Sequence, residues 1–215
     1  MATARPTRLW LVRHGETPLN AARVMQPPDT PLSPRGLQQA QAVAARLRNE
    51  TLGELWSSDL PRAWQTAEVI AQACGRPIRA QPRLHERNFG DLRGRPYDSL
   101  GFDPLAMQEA PPGGESVRDF EARIDAAFDA SLIAAQAGGG TLVLVTHGLV
   151  IHSLLARRVA LPPDTVLPAR IANASVTEIV LAAGPRGTLP QALRVDCTAH
   201  LLGDRADDPL ALSGG

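Results

Sequence analysis

Leu9-Trp10-Leu11-Val12-Arg13-His14-Gly15-Glu16-Thr17 is the stretch that decides how this chain is read. Its four leading apolar residues are too short a run for a helix and read as a strand buried on both faces. The run stops on Arg13-His14-Gly15, and in an open α/β sheet ligands bind beyond the carboxyl ends of strands. Arg13 presents a planar fork of donors that matches phosphate oxygens. His14 presents a ring nitrogen that is neutral, and so nucleophilic, near neutral pH. Gly15 permits a sharp turn and a close approach of backbone to ligand. Taken alone, the same three residues would also suit a surface turn; the rest of the chain tips the balance.

Composition bounds the answer. At 215 residues the chain suits one domain, 1–215, with a large core over about 8–200. Apolar residues make up 44% and charged residues 20%, ordinary for a globular protein. A net charge of zero argues against a general attraction to nucleic acid or an anionic membrane. All 22 basic residues are arginine, so any phosphate chemistry must work without a lysine. Cys74 and Cys197 stand far apart and read as two reduced thiols. Met1 to Arg8 holds no apolar region that would make a signal peptide. No stretch approaches the roughly 20 apolar residues that span a bilayer. These features lead us to expect a cytoplasmic protein.

Further along, Thr17 to Leu32 reads as a loop. Ser33-Pro34 opens a helix, with Ser33 as N-cap and Pro34 in the first turn. Leu37, Ala40, Val43, Ala44 and Leu47 fall at helical spacing and would face a sheet. Glu54 to Ser57 is a second strand. Pro61 starts a helix with Ala63, Ala67, Ile70 and Ala71 on one stripe, and Gly75 ends it. Ile78 to Gln81 is a weakly signalled third strand. Pro82 to Gly114 is an irregular excursion, and a loop of that length is usually functional. Glu115 to Ala137 reads as a long helix with Val117, Phe120, Ile124, Ala127 and Phe128 on one face.

The triple glycine that follows lacks the lysine of a phosphate-binding P-loop and reads as a connector. Thr141 to Val145 is the clearest buried strand and ends on Thr146-His147-Gly148. A helix from about Leu149 to Arg158 follows. Ser175 to Leu181 and Ala192 to Cys197 suit a hairpin around a turn at Gly184-Pro185-Arg186-Gly187. From Gly203 the chain reads as a mobile tail over 203–215. Strands alternating with helices predict a three-layer α/β/α domain with a largely parallel central sheet.

Two strand ends thus deliver His14 and His147 to one edge of one sheet. A helix N-terminus delivers Arg62, and the loop after the third strand delivers Glu86. Each residue has an ordinary explanation: a solvated arginine, a loop carboxylate, a core histidine. Together they describe a phosphate pocket. A zinc site is excluded by spacing, since His147 and His152 have no carboxylate or cysteine between them.

The chain resembles the phosphoglycerate mutase-like branch of the histidine phosphatase superfamily. The resemblance rests on Leu11 to Thr17, Asn20, Asp29-Thr30-Pro31-Leu32-Ser33 leading to Gly36, and Ser57 to Ala67. It continues through Leu84-His85-Glu86-Arg87-Asn88-Phe89-Gly90, Gly113-Gly114-Glu115-Ser116 and Val145-Thr146-His147-Gly148. It implies His14 as the phosphate-accepting nucleophile, Arg13, Arg62 and His147 as phosphate binders, and Glu86 as proton donor. Asn20, Gln26 and the Gly148 N–H are further candidate donors to the substrate. It implies no metal and no cofactor, because arginines and histidines supply the positive charge. The implied partner is a small-molecule phosphomonoester; the oligomeric state, homo-oligomer included, stays open.

Mutase and phosphatase share most of these residues. Pro27-Pro28 follows Gln26 where the family often has glycine, and proline offers no N–H to a substrate anion. Tyr97 falls near where mutases carry a lysine, and the excursion from Glu86 to Gly113 is much shorter than theirs. A short lid admits water, which favours a phosphatase acting through phosphohistidine. The alternatives are a phosphoglycerate mutase and, from another class, a non-catalytic phospholigand-binding module. Met25 to Asp29 and Arg87 to Pro112, with Phe89, Tyr97, Phe102 and Met107, would line the substrate's other end. That mixture suits a sugar phosphate, a nucleoside phosphate such as α-ribazole phosphate, or a phospho-acid.

Overall fold

Alternation along β1 (Arg8–Arg13) sets up the layers. Leu9 and Leu11 point to one face of the sheet, where they cluster with Phe120, Ile124, Phe128, Val150 and Leu154. Trp10 and Val12 point to the other, where they cluster with Val43, Leu47, Ala67 and Ile70. Side chains alternate across a strand, so four consecutive apolar residues feed two cores at once. Each fully buried leucine or valine is worth about 1.5–3 kcal/mol. The structure is a computed structural model and describes residues 7–181 and 188–202.

The other strands are β2 (Leu52–Ser57), β3 (Ile78–Ala80), β4 (Thr141–Thr146), β5 (Val176–Val180) and β6 (Gln191–Cys197). They form one sheet in the order β3-β2-β4-β1-β5-β6. The β3-β2, β2-β4 and β4-β1 pairs are parallel, while β5 runs antiparallel to both β1 and β6. The expected mostly parallel sheet is therefore observed. So is antiparallel pairing of the last two strands. The turn expected at Gly184 to Gly187 and the tail from Gly203 lie outside the described residues.

The helices are α1 (Pro18–Ala21), α2 (Pro34–Leu47), α3 (Pro61–Cys74), α4 (Val117–Ala137) and α5 (Gly148–Arg158). Their starts and stops follow local chemistry. The Ser33 hydroxyl accepts the Gly36 amide at 3.0 Å, and Ser116 does the same for Asp119 at 3.1 Å. Gly75 closes α3 in the left-handed conformation at φ 64°. Among the described residues no helix is long and apolar enough to cross a membrane. Cys74 and Cys197 are free thiols, both half-buried.

Four expectations need correction. The segment from Thr17 to Leu32 is not all loop: Thr17 and Asn20 form a capping box that nucleates α1. β2 begins at Leu52, two residues earlier than its apolar signal, because Gly53 and Glu54 interrupt that signal. α4 starts at Val117, leaving Glu115 outside the helix and available to a loop. Leu37 is 42% exposed, because α2 turns Gly36, Gln39, Ala40 and Val43 inward instead. The excursion after β3 carries only short 3₁₀ turns at Pro82–Leu84, Gly90–Leu92, Tyr97–Ser99 and Pro104–Ala106.

Candidate active site

The parallel register pairs Arg13 with Thr146, so the next residue on each strand, His14 and His147, emerges side by side. The His14 amide donates to the Thr146 carbonyl at 3.0 Å, extending the ladder by one bond. The two imidazole centroids are 5.2 Å apart with planes inclined at 62°. His14 is 2% exposed and His147 fully buried.

A buried His14 flanked by cations is kept neutral. Burial is the main cause of a pKa well below the usual value, reinforced by Arg13 and Arg62 and opposed by the bond to Gly15. Nδ1 of His14 lies 2.7 Å from the Gly15 carbonyl oxygen. A carbonyl can only accept, so Nδ1 carries the proton and Nε2 holds the free lone pair. His147 is pushed down in the same way, by burial and then by Arg62 and His14. Its Nε2 pairs with the Ser58 hydroxyl at 2.8 Å, and its Nδ1 is buried without a partner among the described residues.

The arginines come from two elements. Arg13 ends β1 and donates through Nη1 to the Ile171 carbonyl at 2.5 Å. Arg62 sits in the first turn of α3 and donates to the Pro27 carbonyl at 3.4 Å. Both are about 1% exposed. Burial lowers Arg62 to about 10, with Glu86 opposing and Arg13 and Arg93 adding to the fall. At neutral pH it remains fully charged.

Glu86 is the complementary acid. One carboxylate oxygen accepts the Leu149 amide at 3.1 Å in the first turn of α5, and the other accepts the Arg87 amide at 3.0 Å. Those bonds and the charges of Arg62 and Arg13 favour the anion. Burial outweighs them and lifts its pKa from 4.5 to about 7. Such a carboxyl can exist in both protonation states near neutral pH.

Asn20 and Gln26 join the site through Thr17. The Asn20 side-chain oxygen accepts the Thr17 amide at 3.1 Å and Asn173 Nδ2 at 3.3 Å. The Gln26 oxygen accepts the Thr17 hydroxyl at 2.7 Å. Both amide groups are thereby oriented with their oxygens engaged. Gly148 is buried at the start of α5, immediately after His147. Hydrogen bonds, the ring contact and electrostatic coupling thus link seven of the eight residues singled out in the sequence, with Gly148 next to His147 in the chain.

Several residues escaped sequence reading. Ser58, which holds His147, and Asn173, which donates to the His14 carbonyl at 3.2 Å, lie in separate segments joined only by folding. Arg93 weakens Arg62 electrostatically and keeps a buried Nε with no partner among the described residues. Arg123 donates to the His85 carbonyl at 2.9 Å and to Glu115, which in turn accepts the Asn88 amide. It thereby anchors the strand of loop that carries Glu86. Phe89 and Met25, expected to line the substrate's far end, are fully buried against Leu92 and Leu100. An apolar pair at the root of a loop is worth more packed than wet. Among the described residues no three histidines, cysteines or carboxylates gather as a metal cluster.

Known proteins are similar to this chain in sequence and in fold. The probable phosphoglycerate mutase GpmB of Yersinia pestis is 38% identical over 182 residues, covering 80% of this chain and 84% of its own. A solved phosphoglycerate mutase from Bacillus anthracis superposes with a TM-score of 0.76 at 27% identity, covering 92% of this chain and 96% of its own. The α-ribazole phosphatase of Shigella flexneri does so at 0.72 and 29%, covering 87% and 95%. The family model for the histidine phosphatase superfamily, branch 1, matches residues 9–189, and this chain belongs to that superfamily.

Proposed function

We propose that the protein is a phosphomonoesterase that works through a phosphohistidine. The observation that carries the reading is the pairing of a neutral His14, its Nε2 left as the nucleophilic nitrogen, with a Glu86 poised near 7. Nε2 attacks phosphorus in line, forming the N–P bond as the ester P–O bond breaks. Glu86 gives its proton to the departing alkoxide oxygen. Arg13 and Arg62, whose charge is already in place before the reaction begins, hold the equatorial oxygens together with a neutral His147 that can donate a hydrogen bond. Water then attacks the phosphohistidine, Glu86 takes its proton, and phosphate leaves His14 free.

Hydrolysis rather than isomerisation is favoured by Tyr97. Burial, reinforced by the charge of Glu86, raises its pKa, so it stays an uncharged phenol. A mutase must retain a bisphosphate while it reorients, and a lysine there would help; a phenol gives no such grip. Arg13 and Arg62 supply the positive charge, so the reading includes no metal.

Phosphate release from a panel of phosphomonoesters, run beside 3-phosphoglycerate isomerisation and repeated in excess chelator, tests this. We expect phosphate release that survives the chelator and vanishes in His14→Ala. Isomerisation with negligible phosphate release would establish the mutase. No turnover, and no labelling of His14 by a phosphate donor, would establish a binding module.

A further inference from the structure

A cavity of about 630 Å³ adjoins the phosphate pocket on the side where Glu86 meets the leaving group. Three residues tie the two spaces together. Leu149 lines the cavity and its amide holds Glu86 at 3.1 Å. Ile171 lines it and its carbonyl holds Arg13 at 2.5 Å. Tyr97 lines it and feels the charges of Glu86, Arg13 and Arg170. An alcohol departing past Glu86 therefore extends into this space.

The walls are partly apolar, with Phe102, Leu105 and Leu149, and partly polar, with Tyr97 and a half-buried His152 whose burial keeps it neutral. The charges are the informative part. Arg23 is engaged by Asp98 at 3.2 Å, and Asp103 accepts the Leu105 amide at 2.9 Å. Arg170 lines the same cavity and has no hydrogen bond or ion pair among the described residues. An uncommitted guanidinium beside the leaving-group path is a receptor for an anion. The volume falls within the range of about 300–1,000 Å³ typical of pockets for drug-sized ligands, more than a three-carbon alcohol fills.

We infer that this cavity takes the alcohol part of the substrate, and that Arg170 pairs there with an anionic group on it, carboxylate or phosphate. The substrate class is a phosphomonoester of a bulky, negatively charged alcohol, larger than a triose. The inference rests on the phosphatase reading for its chemistry, though the binding it describes can be measured without turnover.

Gluconate 6-phosphate, glucitol 6-phosphate and glucitol 1,6-bisphosphate differ at the carbon farthest from the 6-phosphate: carboxylate, neutral alcohol or second phosphate. We expect kcat/KM to favour an anionic member over glucitol 6-phosphate by about tenfold. Arg170→Gln should erase that preference, Arg170→Lys should keep much of it, and neither should alter nitrophenyl phosphate turnover. Which anionic member gains tells carboxylate from phosphate. Shorter matched esters, 3-phosphoglycerate and glycerol 3-phosphate, should show a weaker preference. The same comparison by calorimetry in a His14→Asn background reads binding alone. Preference lost with Arg170 in binding but no turnover of any ester would uphold this inference and end the hydrolase reading. Turnover with Arg170→Gln affecting charged and neutral esters alike would overturn the inference and leave hydrolysis standing.

Discussion

The backbones of Gly15 and Gly36 touch. A Cβ on Gly15 would stand 2.4 Å from the Gly36 carbonyl oxygen, and one on Gly36 would stand 2.0 Å from that of Glu16. Contact with α2 by itself thus requires a glycine at position 15. The adjoining bonds fasten the same corner. The Gly15 amide reaches Thr66 at 3.1 Å, the Glu16 amide reaches Gln39 at 2.8 Å, and the Ser33 amide reaches the Glu16 carbonyl at 2.9 Å.

Gly36→Ala should therefore move the segment that carries His14. Overpacking of this kind costs about 1–3 kcal/mol. A displacement near 1 Å at a catalytic group costs about 10²-fold in rate. We expect a lower midpoint in denaturant and a fall in kcat of about that size. Wild-type kcat in Gly36→Ala would show that the corner is tolerant and that His14 is positioned by the sheet alone.

Ser58 is expected to act through His147. With Nε2 held by the Ser58 hydroxyl at 2.8 Å, Nδ1 is the nitrogen left to meet a phosphate oxygen. Ser58→Ala frees the ring to change tautomer or rotate. Phosphohistidine formation should slow about tenfold or more, with Ser58→Thr restoring part of it, while the folded fraction stays near wild type. Equal kinetics in wild type and Ser58→Ala would remove Ser58 from the site.

Much of this was legible because the signals are local. The apolar runs of β1 and β4, the Ser33 cap, and the strand-end histidines each announce themselves within a few residues. The missing parts share a cause. Ser58 and His147, Asn20 and Asn173, and Arg123 with the 83–86 carbonyls meet only through tertiary contacts. Leu37 was misplaced because periodicity cannot tell which of two neighbouring helix faces a glycine contact will select. Phe89 was misplaced because an aromatic in a loop reads the same whether it lines a cavity or plugs its base.

The pH dependence has a definite sign. Glu86 binds its proton more tightly in the folded protein, with a pKa near 7 in place of 4.5, because burial disfavours the anion. Its contribution to stability is complete below pH 4.5 and is lost as pH rises through about 7, a change of about 3 kcal/mol. Denaturant titrations across that window should show wild type losing about this much relative to Glu86→Gln. In the same window kcat/KM for an alkyl phosphate should fall above pH 7 as the acid form disappears. Burial and the neighbouring Arg13 and Arg62 hold His14 neutral, so any acid limb from the nucleophile is displaced to lower pH than a free imidazole would give. A flat profile through pH 8.5, with no change in relative stability, would mean that Glu86 is ionised throughout.

The sharpest test of Glu86 lies in the leaving group. An alkoxide departing from a sugar or hydroxy acid is a strong base and needs its proton as the P–O bond breaks, whereas nitrophenolate is stable without one. Glu86→Gln preserves size and can still accept one of the two amides, from Leu149 or Arg87, that hold the carboxylate. It cannot transfer a proton. Single-turnover phosphorylation of His14 by an alkyl phosphate should slow by about 10²–10⁴-fold, the range for general acid catalysis. Phosphorylation by nitrophenyl phosphate should slow far less. Hydrolysis of the phosphohistidine should also slow, because the same carboxylate deprotonates the incoming water. Equal losses for both esters would assign Glu86 to holding phosphate and would pass the proton to another group, with His147 the neighbour best placed to give it.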